Sequence, residues 1–284
     1  MMSDVSVAVV QMLSDPNNPA ANRAETVARC KQAARAGAKL IVLPELVISG
    51  YCLDRERLEG AAEPVCGETF VQWASVSREY QVFIVGGFCE RAGDNLYNAA
   101  MLVGPDGIVG VYRKLHLFDE EKNIFAPGDA GLKTFDLPFG RIGLCICYDL
   151  RFVEVVRALA LQGADLIAVP AAWVGGFDAS PFDAMGFIGQ ARGALVQANL
   201  NQVYLLCASQ GGQSGDIRFL GSSLVADPFG QLVCGPLAAD GDDVCIVKID
   251  VGASASAQAR SALIRPREDR RTDVYQLQVG GQSY

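Results

Sequence analysis

Short apolar runs and longer segments of helical periodicity alternate through most of the chain. The runs are rich in β-branched residues and stop at glycine or proline, as in residues 40–43, which Pro44 ends. The longer segments carry apolar residues at helical spacing, as in residues 22–36, followed by Gly37 as the expected C-cap. This alternation predicts a mixed α/β fold, which by itself says nothing about chemistry.

The predicted elements form one domain. No stretch has the composition of an interdomain linker, and no repeat of fixed period occurs. We therefore predict a single domain over residues 1–264 and a solvated, arginine-rich extension over residues 265–284. The predicted helices are 22–36, 67–80, 153–162 and 185–199, and the predicted strands are 5–11, 40–43, 82–90, 99–104, 107–112, 141–147, 164–169, 203–209, 221–227, 231–235 and 244–250.

Composition excludes several classes of protein. The 284 residues carry a formal net charge of −8, which disfavours nucleic-acid binding because phosphate contacts need clustered cations. No apolar run reaches the ~18 residues of a membrane span. His116 is the single histidine, so a zinc site needing two histidines is excluded within one chain, and a Ser-His-Asp triad would have to use His116.

Nine cysteines are present, an odd number, and none forms a CxxC pair. Residues 1–8 lack the positive region and long apolar run of a signal peptide. We therefore expect nine free thiols, a reducing cytoplasmic location and no metal site.

Three residues stand at the ends of apolar stretches and are candidates for chemistry. Glu45 follows the strand at 40–43, Lys114 follows the strand at 107–112, and Cys147 lies where a strand meets a helix. Amide groups of the first helical turn are expected to lower the pKa of such a thiol. Each residue also has an ordinary structural explanation: an exposed glutamate, a lysine reaching water, and a buried thiol. Cys145 is expected to be packed inside the strand.

Four motifs identify a family resemblance. LPE at 43–45, YRKLHLF at 112–118, FAPGD at 125–129 and GLCICYDLRF at 143–152 occur in this order. With them the chain resembles the nitrilase superfamily of carbon–nitrogen hydrolases from residue 5 to about residue 250. The resemblance implies a four-layer αββα sandwich that forms a homodimer or a larger homo-oligomer through its outer helices. The predicted helices 153–162 and 185–199 carry more apolar residues than one core-facing stripe needs.

The resemblance assigns roles to particular residues. Glu45 matches the general base, Lys114 the lysine that stabilises the tetrahedral oxyanion, and Cys147 the nucleophile. The second glutamate of the family matches Glu121, although a shift of one residue would exchange it with Glu120. His116 is an alternative base, two residues from Lys114.

The residues around Cys147 narrow the choice of substrate class. The backbone N–H of Tyr148 would join the oxyanion site. Tyr148-Asp149 stands where nitrilases typically have a Trp-Glu pair. This pair resembles the one found in amidases and N-carbamoyl amide hydrolases. Arg151 is expected either to hold a substrate carboxylate or to pair with Glu154. Trp173 is expected to wall the pocket, to pack in the core, or both.

The resemblance therefore predicts a cytoplasmic enzyme that cleaves a small linear amide to a carboxylic acid and ammonia through a thioester. No metal or organic cofactor is expected, since the cysteine supplies covalent catalysis. The open alternatives are an N-carbamoyl amidohydrolase, a nitrilase, an acyltransferase and a catalytically silent binding protein. The last would normally have lost part of the triad, and here all three residues are present.

Overall fold

The computed structural model describes residues 4–177 and 179–284. Its helices are α1 (Pro19–Arg35), α2 (Arg55–Ala61), α3 (Glu68–Tyr80), α4 (Val153–Leu161), α5 (Gly189–Asn201) and α6 (Ala253–Gln258), with 3-10 turns at Asp119–Asn123 and Cys147–Arg151. Its strands are β1 (Asp4–Gln11), β2 (Leu40–Val42), β3 (Phe83–Ala92), β4 (Asn95–Gly104), β5 (Gly107–Arg113), β6 (Thr134–Leu137), β7 (Gly140–Leu144), β8 (Leu166–Ala171), β9 (Tyr204–Ser209), β10 (Gly211–Ser214), β11 (Ile217–Leu220), β12 (Leu224–Ala226), β13 (Leu232–Cys234), β14 (Asp243–Asp250), β15 (Gln278–Val279) and β16 (Gln282–Ser283).

Two six-stranded sheets have similar topologies. The first has the order β14-β1-β2-β3-β4-β5 and the second β13-β12-β9-β8-β7-β6. In each, three neighbouring strands are parallel: β1, β2 and β3 in the first, and β7, β8 and β9 in the second. The remaining pairings in these sheets are antiparallel. Functional groups in such folds tend to follow the carboxyl ends of parallel strands.

Side-chain alternation along β1 shows how the layers stack. Val7 and Val9 join the core between the two sheets, whereas Ala8 and Val10 join the core beneath α1 and α3. Successive residues of a strand point to opposite faces, so a strand covered on both sides is apolar throughout. The inner faces of α4 and α5 pack on the second sheet. This is the four-layer αββα arrangement that the motifs led us to expect.

Several predicted boundaries differ from the structure. The strand predicted to reach residue 147 ends at Leu144, because the backbone turns and Cys147 adopts φ +43°. The helix predicted over residues 185–199 begins at Gly189 and continues to Asn201. The short elements α2, α6, β6, β10, β11, β15 and β16 were not predicted.

The expectation of nine free thiols is wrong. Cys234 and Cys245 form a disulfide, with their Cα atoms 6.3 Å apart, within the range that a disulfide spans. It joins the ends of β13 and β14, which are edge strands of different sheets. The other seven cysteines are free.

The extension after residue 264 is mostly exposed, with one anchored side chain. The Arg267 guanidinium donates hydrogen bonds of 2.7 Å to the carbonyl oxygens of Ala160 and Asn201. These carbonyls lie in the last turns of α4 and α5, where backbone acceptors lack helical partners and a cation is favoured. None of the helices in the described part of the chain is long and apolar enough to cross a membrane.

Candidate active site

Three charged side chains meet inside the protein with almost no access to solvent. Glu45 follows β2, Lys114 follows β5, and Glu121 lies in the first 3-10 turn; their exposed fractions are 0%, 1% and 0%. The Nζ atom of Lys114 lies 2.6 Å from Oε1 of Glu45 and 2.9 Å from the carboxylate of Glu121. Charges this deeply buried require partners of opposite sign, and here one ammonium serves two carboxylates.

Gly87 allows Glu45 to reach this position. The strand β3 lies between β2 and β4, so the chain after β2 must pass over it. A Cβ atom on Gly87 would come within 2.6 Å of the Cα of Glu45. The Gly87 N–H instead donates to the Pro44 carbonyl at 3.0 Å, and the Val47 N–H donates to the Gly87 carbonyl at 3.1 Å. The backbone at Glu45 therefore lies against β3.

The two carboxylates differ in how their oxygens are used. Oε1 of Glu45 also accepts a 2.7 Å hydrogen bond from Nδ2 of Asn98, while its Oε2 has no partner among the described residues. Glu121 accepts from the Tyr51 hydroxyl at 2.8 Å and from the Phe118 N–H at 3.0 Å. Asn98 and Tyr51 were not predicted to belong to the site. Asn98 lies in β4, one residue before the strand predicted over residues 99–104, and its signal was a polar residue beside an apolar run.

Charge balance explains the pKa shifts in this cluster. Burial alone would lower the pKa of Lys114, but the carboxylates of Glu45 and Glu121 outweigh it and raise that pKa, so the ammonium stays charged. Burial raises the pKa of Glu121, and Glu45 adds to the rise although Lys114 opposes it. One cation among two acids leaves an excess of negative charge, which adds to the effect of burial on the pKa of Glu121.

Cys147 lies beside this cluster in a strained backbone conformation. Its φ of +43° is uncommon for a residue other than glycine, and such conformations concentrate at functional sites. Burial raises the pKa of its thiol well above the ordinary value, and Glu45 adds to the rise; Lys114 and the Ala172 N–H lower it by less. The expectation that helical amides lower this pKa is therefore wrong. The thiol is neutral near pH 7 and needs a base. Cys145 is fully buried in the core, as expected.

His116 binds a different carboxylate. Asp149 accepts hydrogen bonds from the His116 N–H at 3.0 Å, from its ring Nδ1 at 2.8 Å, from the Tyr112 hydroxyl at 2.7 Å and from the Ile146 N–H at 3.0 Å. The His116 ring stacks on Phe152 with centroids 3.6 Å apart. Its ring therefore serves to fix Asp149, which argues against His116 as the base for Cys147.

A cavity of about 550 Å³ opens onto Cys147. Its walls are mainly apolar and aromatic, and they include Tyr51, Phe118, Tyr148, Arg151, Trp173 and Phe177. The volume falls in the range of small-molecule sites. Tyr148, Arg151 and Trp173, the three residues predicted to lie around Cys147, therefore line the same cavity.

The structure decides between the alternatives left open for Trp173, Arg151 and the glutamate pair at 120 and 121. Trp173 is 2% exposed and lines the cavity, so it both packs and forms a wall. Arg151 is exposed and forms no ion pair with Glu154 among the side chains that the structure describes. Glu120 is exposed and accepts a hydrogen bond from Asn123, so Glu121 and not Glu120 contacts Lys114.

Comparisons with known proteins identify the family and the fold. A sequence model of the carbon-nitrogen hydrolase family matches residues 6–259. Over 231 residues, 81% of this chain and 84% of the relative, the sequence is 40% identical to a nitrilase of Pyrococcus abyssi. It is 32% identical over 264 residues to an omega-amidase of Homo sapiens, covering 88% and 89% of the two chains. The fold matches the crystal structure of an amidase from Nesterenkonia sp. with a TM-score of 0.75 and 23% identity over 96% of each chain.

Proposed function

Because the chain belongs to the carbon-nitrogen hydrolase family, we propose that it hydrolyses a small linear amide to a carboxylic acid and ammonia through a thioester on Cys147. The observation that carries the proposal is the Glu45 carboxylate. One of its oxygens is fixed by Lys114 and Asn98, and the other has no partner within residues 4–177 and 179–284. A buried base with one oxygen available, beside a thiol whose pKa burial raises, suits proton abstraction.

The reaction proceeds in two halves. Glu45 takes the thiol proton of Cys147, and the sulfur forms a bond to the amide carbon. Lys114 and the backbone N–H of Tyr148 stabilise the oxyanion. Glu45 then gives the proton to the leaving nitrogen, the carbon–nitrogen bond breaks and ammonia departs. Water, deprotonated by Glu45, attacks the thioester and releases the acid and the thiol.

Glu121 orients the substrate and stabilises Lys114. Its contacts with Lys114 and with the Tyr51 hydroxyl support this role, since Tyr51 also lines the cavity. Because its pKa is raised, Glu121 holds a proton to a higher pH than a free glutamate does. In the protonated form it offers both a donor and an acceptor beside the reacting amide.

The substrate is an amide in preference to a nitrile. The pair Tyr148-Asp149 after the nucleophile supports this choice, although the Pyrococcus abyssi relative is named a nitrilase. Arg151 is exposed and lines the cavity. It supports a finer proposal, that the acyl part carries an acidic or polar group. An N-carbamoyl compound with a carboxylate fits the same arrangement and is the second candidate.

The active form is a homodimer or a larger homo-oligomer built on α4 and α5. Val153, Val196 and Leu200, which lie on these helices at the edge of the cavity, are 59%, 56% and 52% exposed and form the apolar stripe proposed as the contact. A second copy of the chain is the occupant that the family resemblance favours, and a two-fold axis would bring the stripe against itself. Light scattering at micromolar concentration is expected to give at least twice the chain mass, and a monomer mass would contradict the proposal.

A reducing compartment suits this chemistry. The nucleophile must remain a thiol, and seven cysteines are free in the structure. We therefore propose a cytoplasmic location, in which the Cys234–Cys245 pair is the exception.

Ammonia release tests the function directly. The panel holds aliphatic and aromatic amides, ω-amides of dicarboxylates, N-carbamoyl amino acids, and nitriles with matched acyl groups. We expect a higher kcat/KM for each amide than for its nitrile, and intact-mass measurement with a slow amide should show an acyl adduct on Cys147. Cys147→Ala should abolish turnover, whereas Cys145→Ala, a matched change two residues away, should retain it. An active Cys147→Ala enzyme, or faster nitrile turnover, would overturn the corresponding part of the proposal.

A further inference from the structure

We propose that Asn98 is a positioning residue that orients the Glu45 carboxylate for proton transfer. The inference rests on the proposed function, in which Glu45 acts as the base for Cys147. Asn98 lies in β4 and is 1% exposed. Its role follows from two contacts made by different parts of the same residue.

The first contact ties Asn98 to the lysine of the cluster. The backbone carbonyl of Asn98 accepts a 2.8 Å hydrogen bond from the backbone N–H of Lys114. This bond continues the pairing of β4 with β5 beyond the last strand residue. The second contact is the 2.7 Å hydrogen bond from Nδ2 of Asn98 to Oε1 of Glu45. One residue therefore fixes the lysine backbone and the glutamate carboxylate relative to each other.

The hydrogen bond from Asn98 matters because the two oxygens of Glu45 have different numbers of donors. Oε1 receives Lys114 at 2.6 Å and Asn98 at 2.7 Å, and Oε2 receives no donor from the described residues. With two donors on Oε1, the carboxylate cannot rotate without losing both. Oε2 is therefore the oxygen left to accept the Cys147 proton: the S–H bond breaks as the Oε2–H bond forms.

A neutral amide suits this position better than a second charge. Lys114 must also stabilise the oxyanion, so its bond to Glu45 weakens as charge develops on the substrate. The Asn98 amide carries no titratable proton and keeps its bond to Oε1 throughout the cycle. It therefore preserves the orientation of Glu45 at the stage when the lysine is engaged elsewhere.

Gln210 supplies a matched control within the same protein. It is a second fully buried amide beside Glu45, but its Nε2 donates to the main-chain carbonyl of Glu45 at 3.0 Å, and its Oε1 accepts from the Ser14 N–H. Replacing Gln210 removes a buried amide of the same kind without removing a donor to the carboxylate. The pair Asn98→Leu and Gln210→Met keeps side-chain size nearly constant.

The measurements are kcat, KM and the pH profile of kcat/KM for amide hydrolysis. For Asn98→Leu we expect kcat to fall about 10- to 100-fold, less than the ~10²- to 10⁴-fold contribution of general base catalysis because the base itself remains, while KM changes less than about threefold. Loss of a donor makes protonation of the carboxylate easier, so the acidic limb should move up by about one pH unit. Gln210→Met removes no donor to the carboxylate, so the acidic limb of its pH profile should lie within about 0.3 pH units of wild type. The titratable groups near Glu45 are identical in both variants: Lys114, Glu121, Cys147 and Tyr51.

Two outcomes would overturn the inference: an unmoved acidic limb in Asn98→Leu, or equal losses of kcat in both variants with no shift. Thermal melting verifies folding, and Asn98→Ser, with the same expectations, replaces Asn98→Leu if that variant does not fold. Failure of the proposed function looks different, because Glu45→Gln and Cys147→Ala would then remain active. If both of those are inactive and Asn98→Leu keeps the wild-type profile, the inference about Asn98 alone is wrong.

Discussion

Two fully buried carboxylates, Glu45 and Asp149, are held in opposite ways. Asp149, in the 3-10 turn that begins at Cys147, accepts four hydrogen bonds, two on each oxygen, from the His116 backbone and ring, the Tyr112 hydroxyl and the Ile146 N–H. Glu45 accepts two on one oxygen and, from the residues that the structure describes, none on the other. Buried polar atoms in native proteins are nearly always paired, so an unpaired one calls for an explanation.

Under the proposed mechanism, the difference separates a structural acid, Asp149, from a reactive one, Glu45. Every acceptor of Asp149 is in use, so it has no capacity left for a proton in transit. Its donors come from the segment around Lys114 and from the end of β7, so it holds the lysine segment against the nucleophile turn. Glu45 is fixed by a cation and an amide but keeps one oxygen open. Both side chains are fully buried carboxylates, and they differ in their charged neighbours and in how many of their acceptors are in use.

Exchange of each carboxylate for its amide should therefore give opposite results. In Glu45→Gln, the amide carbonyl can keep both donors at the Oε1 position, and the NH₂ group meets no donor at Oε2. Folding should change little, while kcat should fall by about 10²- to 10⁴-fold through loss of the base. In Asp149→Asn, the NH₂ group must face two donors, so the free energy of unfolding should fall by roughly 2–4 kcal/mol.

Urea denaturation and steady-state kinetics on both variants measure this contrast. Asp149→Asn should keep more activity than Glu45→Gln when it is assayed at a temperature where it remains folded. A Glu45→Gln protein that is active, or an Asp149→Asn protein as stable as wild type, would remove the distinction between the two carboxylates.

The sequence was sufficient to select the candidate residues that the structure brings together, but not the contacts that set their properties. Glu45, Lys114 and Cys147 each end an apolar run, which is a local pattern, and the motif order connected them. The bond between Asn98 and Glu45 joins residues 53 positions apart. It depends on the close passage over Gly87, which no local pattern indicates.

The errors of prediction have different physical causes. The strand expected to reach residue 147 stops early because Asp149, three residues on, accepts the Ile146 N–H. The pKa of Cys147 is raised and not lowered because of burial and of Glu45, which is distant in sequence. The disulfide joins edge strands of two sheets, so it depends on the packing of layers that sequence spacing does not reveal.

The charged site should also respond to pH in its own way. Burial raises the pKa of Glu121 above its ordinary value of 4.5. An acid whose pKa is raised by folding contributes stability below the unfolded value and loses it as pH rises through the folded value. Wild type should therefore lose stability relative to Glu121→Gln as pH increases above about 4.5, by at most about 1.4 kcal/mol per pH unit.

Urea denaturation of both proteins between pH 4 and 8 gives this difference, and titrations common to both cancel. A stability difference that grows in favour of wild type with rising pH would mean that Lys114 lowers the pKa of Glu121. It would then be wrong to say that the cluster around Glu45 carries an excess of negative charge, in contrast to Asp149, whose donors are neutral.

The smallest effect on activity is expected for a substitution of His116. This substitution tests whether the residues around Asp149 have only a structural role. Asn at this position can place an NH₂ group where Nδ1 now donates to Oδ1 of Asp149, and the backbone N–H bond is unaffected. His116→Asn loses only the stacking on Phe152, an aromatic pair worth about 0.5–1.5 kcal/mol. We expect kcat/KM within about fivefold of wild type and an unchanged acidic limb, because no proton passes through the imidazole. If His116 were the base for Cys147, the same substitution would reduce kcat as strongly as Glu45→Gln, and the assignment of Glu45 would fail with it.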